Sequence, residues 1–175
     1  MDFSAAYLPP ALPADQPTLT ITRVFQAPRA LVWKLWTDPY HLAQWWGPKG
    51  YTNPVCRMDV RPGGRWSHVM RGPDGTEYPV ESEFLEVVPP ERIVYRNAEA
   101  KGEIWGDNPP PSFVRTITFS EADGKTTVTI RAEFKSFEER DRTVRRGFAA
   151  GTNESLDKLD QHIRQLGNET QQPGT

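Results

Sequence analysis

GFAAGTNESLDKLDQHIRQLG, residues 147–167, is the stretch on which the fold turns. Phe148, Thr152, Leu156, Leu159, Ile163 and Leu166 recur at intervals of 4, 4, 3, 4 and 3. That pattern is one apolar stripe of an amphipathic helix of about five turns. Gly167 follows the last periodic residue, where a closing glycine belongs, and ends the predicted helix. Gly147 and Gly151 are assigned to its first turns. A mid-helix glycine costs roughly 1 kcal/mol against alanine, and small residues on that side let another group approach closely.

Upstream of the helix the period changes from 3.6 to 2. SFVRTITFS (112–120) and TTVTIRAEF (126–134) form a hairpin across EADGK, in which Asp-Gly is the turn signal. ERIVYRN (91–97), TEYPVESEFLEVVP (76–89), GRWSHVMRG (64–72) and VCRMDVRP (55–62) read as four further strands. The long one is expected to bulge near Pro79. AEAKGEIWGDNPPPS (98–112) is a polar loop with a lone Trp105. Before the strands, APRALVWKLW (27–36) has Leu31/Leu35 and Val32/Trp36 as i,i+4 pairs behind Pro28, and reads as a helix. TDPYHLAQWW (37–46) reads as a second, with Asp38 as cap and Pro39 at its first turn; Gly47-Pro48 stops it. TLTITRVF (18–25) alternates as strand one. One strand, two short helices, six strands and one long helix predict an α+β fold with an antiparallel sheet. Residues 1–17 are expected to be a flexible proline-rich arm, 18–167 one domain, and 168–175 a disordered tail.

Charge and composition exclude several classes. There are 21 basic and 23 acidic residues, a net charge of −2, which argues against general affinity for nucleic acid or an anionic membrane. No apolar run approaches the ~20 residues of a membrane span. The first residues, with Asp2 and no basic leader, do not read as a signal peptide. A single cysteine, Cys56, excludes an internal disulfide and fits a cytoplasmic setting. Phosphate-cradling glycine motifs and a nucleophile elbow are both missing. His41, His68 and His162 sit on three different elements without metal-ligand spacing, and no carboxylate pair stands out as acid and base. Neither a cofactor nor a metal is therefore expected.

The order of elements resembles the helix-grip fold of the START and birch-pollen-allergen superfamily, SRPBCC. VFQAPRALVWKLWTDPYHLAQWWGP, DVRPGGRW, MRGPDG and EVVPPERIVY are similar to the branch named after the activator of the heat-shock protein 90 ATPase, as is the glycine, leucine and isoleucine pattern of the last helix. The likeness covers roughly residues 18–166. It implies a curved sheet of about six to seven strands gripping the long helix, with a cavity between them. Members of the wider superfamily bind sterols, lipids, plant hormones or polyketides there, and some cyclise or hydrolyse them; the eukaryotic namesake stimulates a chaperone ATPase. Two departures stand out: Ser82 where the branch often has glycine, and His68 where it often has an aromatic.

A ligand pocket is mostly apolar with a few orienting polar groups. Trp66, His68, Met70, Phe84 and Tyr95 are assigned to the concave face, Phe148 and Thr152 to the helix opposite them. Trp46 is assigned to the rim and Trp45 to the core. For each aromatic singly, plain core is the commoner fate. For His68 the bland alternative is an ordinary hydrogen-bonded strand histidine. Arg115, between Phe113 and Ile117, needs an acid or a ligand anion if it points inward, with Glu81 or Glu83 as candidates; otherwise it is a solvated strand end. Three functions follow. The first is non-catalytic binding of a small hydrophobic or aromatic molecule. The second is a cyclase-, aromatase- or hydrolase-like enzyme using His68 in the same cavity. The third is a cochaperone-like regulator. Homodimerisation is compatible with any of them.

Overall fold

The computed structural model describes residues 12–107 and 109–171. One seven-stranded sheet in the order β1-β7-β6-β5-β4-β3-β2 is antiparallel throughout. Its strands are β1 (Thr18–Phe25), β2 (Thr52–Met58), β3 (Arg65–Arg71), β4 (Glu77–Val88), β5 (Arg92–Asn97), β6 (Val114–Ala122) and β7 (Lys125–Glu133). Helices α1 (Arg29–Thr37) and α2 (Pro39–Trp45) follow β1; α3 (Phe137–Arg145) and α4 (Phe148–Gln171) follow β7. This is the helix-grip arrangement: a curved sheet with α4 lying across its concave face.

Register explains why that face is apolar. Directly opposed residues share a face of a sheet, so the pairings can be followed from strand to strand. Ile21, Ile130, Ile117 and Ile93 form one row across β1, β7, β6 and β5. Leu19, Ala132, Arg115, Tyr95 and Phe84 form the next. Asn97, Ser82, Trp66 and Met58 continue the floor towards β2. Leu156, Leu159 and Ile163 of α4 are buried in the same core cluster as the isoleucine row. The helix pair closes one end: Trp36 meets Trp45 edge-on at 4.7 Å and Phe119 at 5.5 Å, and Trp45 Nε1 donates to Leu35 O at 3.0 Å. Asp38 caps α2 by accepting from Tyr40 N–H.

Several expectations are corrected. The irregularity in β4 falls between Phe84 and Glu86, not at Pro79; Pro79 lies where β4 outruns β5, beyond the Ser82–Asn97 pair. The unassigned stretch after β7 is helical. Ser136 accepts from Glu139 N–H, Glu138 and Glu139 occupy the first turn, and Arg142 and Arg145 the last, a self-consistent capped helix. Gly147 is not part of the long helix. Its φ of +94° breaks the chain between α3 and α4, a backbone position that glycine alone adopts without strain. Gly167 does not end α4, which continues to Gln171 because a glycine with helical φ does not force a stop. Of the tail expected over 168–175, residues 168–171 are thus helical and 172–175 lie outside the described residues. Residues 1–11 of the arm also lie outside them. Residues 12–17 are tied down: Arg140 donates to Pro13 O and Gln16 O, and Phe134 N–H to Pro17 O.

The two glycines bounding the decisive stretch therefore carry opposite predictions. Gly167→Ala, whose Cβ meets nothing within 4 Å, is expected to stabilise by about 0.5 kcal/mol. Gly147→Ala is expected to destabilise by about 1–2 kcal/mol through the positive φ. Urea titration of both variants checks the signs; equal effects would mean that the helix break is not at Gly147.

Candidate functional site

Between the sheet and the first turns of α4 lies a cavity of about 790 Å³. Its existence follows from how α4 sits. The middle of the helix is held close: Lys158 Nζ donates to the carbonyls of Tyr51 at 3.1 Å, Gly47 at 3.3 Å, and Trp46 and Pro48 at 3.4 Å. Arg23 of β1 pairs with Asp157 at 2.9 Å. The front half, from Phe148 to Ser155, faces side chains that do not reach across to fill the space.

Trp46, Trp66, His68, Met70, Tyr95, Arg115, Phe148 and Thr152 all lie in the cavity wall. Phe84 does not. It is 2 % exposed, packs on Tyr95 at 6.4 Å, and exchanges backbone hydrogen bonds with Gly63 and Gly64. It belongs to the core, because the β4 irregularity and the Gly63-Gly64 turn close over it. The paired tryptophans separate by backbone. Trp45, the last residue of α2, is fully buried; Trp46 has an extended backbone beyond the helix end and is half-buried. Trp46 meets Trp66 edge-on at 4.8 Å and His68 at 6.1 Å. Trp66 stacks on His68 at 4.6 Å and meets Tyr95 at 5.4 Å. In the 98–112 loop, Trp105 lines the cavity against Tyr78 at 5.1 Å, while the exposed Glu99, Lys101 and Ile104 mark its mouth.

The polar groups in this wall are few and short of partners. His68 is 4 % exposed, and neither ring nitrogen has a hydrogen-bond partner, so it is not the ordinary hydrogen-bonded strand histidine. Burial, with the charge of Arg115 added, pushes its pKa down to about 3. The Tyr95 hydroxyl is buried without a hydrogen bond of normal geometry; burial raises its pKa, and the nearby Arg115 guanidinium opposes that. Arg115 faces inward with its guanidinium 4.4 Å from the Phe113 ring centroid, 5.2 Å from Phe148 and 5.4 Å from Tyr95. It is not a solvated strand end. Glu81 and Glu83 do not neutralise it. They alternate onto the convex face, where Glu81 accepts from Ser67 and Glu83 pairs with Arg96. Among the described residues none of the ion pairs includes Arg115.

Two residues that sequence reasoning left apart come together elsewhere: His41 Nδ1 of α2 lies 3.1 Å from His162 Nε2 of α4. Burial first, then His41, lowers the His162 pKa. No group of three or more potential metal ligands occurs among the described residues. No described helix is long and apolar enough to cross a membrane. Lys158 was also missed; its only sequence signal is a lysine one residue before the stripe position Leu159.

The depressed histidines set a pH dependence. A folded pKa below the unfolded value means that the unfolded chain binds the proton first as pH falls. The contribution of His68 is therefore complete above about pH 6.5 and is lost between there and about 3. At pH 5 the loss from His68 alone is expected to be about 2 kcal/mol relative to pH 8. His68→Phe should flatten this part of the curve. Chemical denaturation at both pH values measures it, and an unchanged slope in the variant would show that His68 is not the titrating group.

Comparison with known proteins agrees with this geometry. Residues 26–164 match the family model described as Activator of Hsp90 ATPase homolog 1-like protein. A protein of Mycobacterium smegmatis with a known crystal structure is 31% identical; the match covers 87% of this chain and 94% of that one, with a TM-score of 0.76. One from Nitrosomonas europaea is 28% identical over 90% of this chain and 99% of that one, at a TM-score of 0.78. A Silicibacter pomeroyi protein, 22% identical over 85% of this chain and 99% of its own at a TM-score of 0.68, shares the fold. No curated protein matches the sequence.

Proposed function

We propose that this chain, which belongs to the Activator of Hsp90 ATPase homolog 1-like family, binds a small hydrophobic or aromatic molecule between sheet and α4 and does not transform it. The observation that carries the reading is the unfilled volume itself. About 790 Å³ lies within the roughly 300–1,000 Å³ of small-molecule sites, and its wall is mainly apolar, with five tryptophans, two tyrosines and two phenylalanines among its residues. A side-chain-filled core, the commoner fate of such residues, leaves no such space. Trp46, Trp66 and Trp105 offer rings to an apolar guest, and the loop bearing Trp105 lies across the mouth.

Binding is favoured over turnover by the state of His68. A general base needs a pKa near the working pH and, as a rule, a group that orients it. His68 has neither: its pKa is about 3 and both nitrogens lack partners. No carboxylate among the described residues stands behind it as an orienting group. A regulator of a chaperone would need a protein-binding surface, and the exposed large apolar side chains, Val24, Tyr40, Val55, Leu85, Ile104 and Phe137, fall on six separate elements. The same scatter offers no argument for a homodimer.

The neutral dye N-phenyl-1-naphthylamine, whose fluorescence rises in apolar surroundings, tests the reading. Wild type is expected to bind it at one site. Val80→Trp projects an indole from β4 into the cavity, beside His68 across the β3–β4 pair. It is expected to weaken binding by at least about tenfold, since a filled pocket loses the apolar burial that drives association, while the protein still melts cooperatively. Absence of dye binding by wild type, or equal binding by the variant, would remove the cavity from the function.

A further inference from the structure

We propose that the cavity takes its ligand as an anion: an apolar or aromatic acid whose carboxylate or sulfonate lies against the Arg115 guanidinium, with Tyr95 Oη and His68 as additional hydrogen-bonding groups. The proposal rests on the binding reading above and specifies the chemistry of that guest.

Among the described residues, Arg115 is the charged side chain that stands within the concave floor itself. It stands in the register row Leu19, Ala132, Arg115, Tyr95 and Phe84, whose other members are uncharged. Ala132 beside it is small and leaves the guanidinium room. The rings of Phe113, Tyr95 and Phe148 surround the cation and orient it, but a ring face cannot use its N–H donors fully. A half-buried guanidinium ordinarily finds a carboxylate, in a planar two-bond geometry. Here the two carboxylates of the cavity wall, Glu81 and Glu99, are exposed and belong to its edge. Neither forms an ion pair with Arg115. The unsatisfied groups next to it are aligned with the same demand. The Tyr95 hydroxyl, 2 % exposed, has no hydrogen bond of normal geometry although the Arg115 guanidinium is beside it, and neither nitrogen of the His68 ring, 4 % exposed, has a partner among the described residues. They connect to Arg115 through continuous ring contacts: His68 on Trp66, Trp66 on Tyr95, Tyr95 beneath Arg115. One acid group entering beside Arg115 satisfies a half-buried cation and gives the tyrosine an acceptor, while its apolar body lies among the tryptophans. A neutral apolar guest leaves all three polar groups as they are, which costs affinity.

Two dyes with the same aromatic skeleton separate the outcomes. 8-Anilino-1-naphthalenesulfonate carries a sulfonate, and N-phenyl-1-naphthylamine lacks it. Wild type is expected to bind the sulfonate more tightly at neutral pH. Arg115→Met, which keeps an apolar stem of similar length, is expected to weaken the sulfonate roughly ten- to hundredfold, the worth of a charge-assisted hydrogen bond, and to leave the neutral dye nearly unchanged. Arg115→Lys should retain part of the preference, because charge survives and planar geometry does not. Neutral-dye binding in each variant certifies that the cavity is still folded. Equal wild-type affinities for the two dyes, or a parallel loss of both in Arg115→Met, would overturn the anion proposal while leaving the cavity reading in place. Failure of wild type to bind either dye would overturn the cavity reading and this inference with it.

Discussion

Four backbone carbonyls, those of Trp46, Gly47, Pro48 and Tyr51, converge on Nζ of Lys158. That cluster binds α4 to the loop that ends the helix pair, and the helix pair in turn closes one end of the sheet. Below the same part of α4 the isoleucine row supplies apolar contact, and Arg23 reaches up to Asp157. Burial lowers the Lys158 pKa, against the opposing pull of Glu154, yet the carbonyls give the ammonium the hydrogen bonds that water would otherwise supply. A helix fixed this firmly at its middle carries its first turns over the sheet, where Phe148 meets Phe113 at 5.3 Å.

The front half is where the chain leaves space. Gly147 sends the backbone sharply from α3 into α4, and Thr143 of α3 joins the cavity wall beside it. Tryptophans 46 and 66, Tyr95 and Phe148 contact one another or their neighbours along the wall, and α4 closes the top. Among the described residues, the His68 ring nitrogens have no hydrogen-bond partner and Arg115 has no ion-pair partner. Site and core thus follow one another along the helix: Phe148 and Thr152 line the cavity, Leu156 belongs to both, and Lys158, Leu159 and Ile163 anchor the remainder.

Much of this was legible in the residues. The spacing of the stripe in α4 specifies which side is buried: Leu156, Leu159 and Ile163 are buried, while Phe148, Thr152 and Leu166 are half-buried. Period-two alternation located all seven strands, and motif likeness identified the branch. What escaped depends on distances between elements. Whether Trp66 and Tyr95 line a space or fill it is decided by how far α4 stands from the sheet, and no local pattern encodes that. The sequence offers Glu81 and Glu83 as partners for Arg115 only until strand parity is counted across the register; one residue's offset puts them on the far face. Phe84 was misplaced for a related reason, since the irregularity beside it lies six residues from the proline that pointed to one. The helix α3 was overlooked although Ser136 and Glu139 are spaced as a capping pair, because its apolar stripe is weak.

The crowding of tryptophan around one void has an optical consequence. Of the six in the chain, Trp36, Trp45, Trp46, Trp66 and Trp105 all border the cavity. Trp46 and Trp66 lie with ring centroids 4.8 Å apart, and Trp36 and Trp45 4.7 Å apart. Excitation therefore passes readily among them, and an absorbing guest drains the emission of the whole set. The protein carries within its own wall a detector for whatever occupies it.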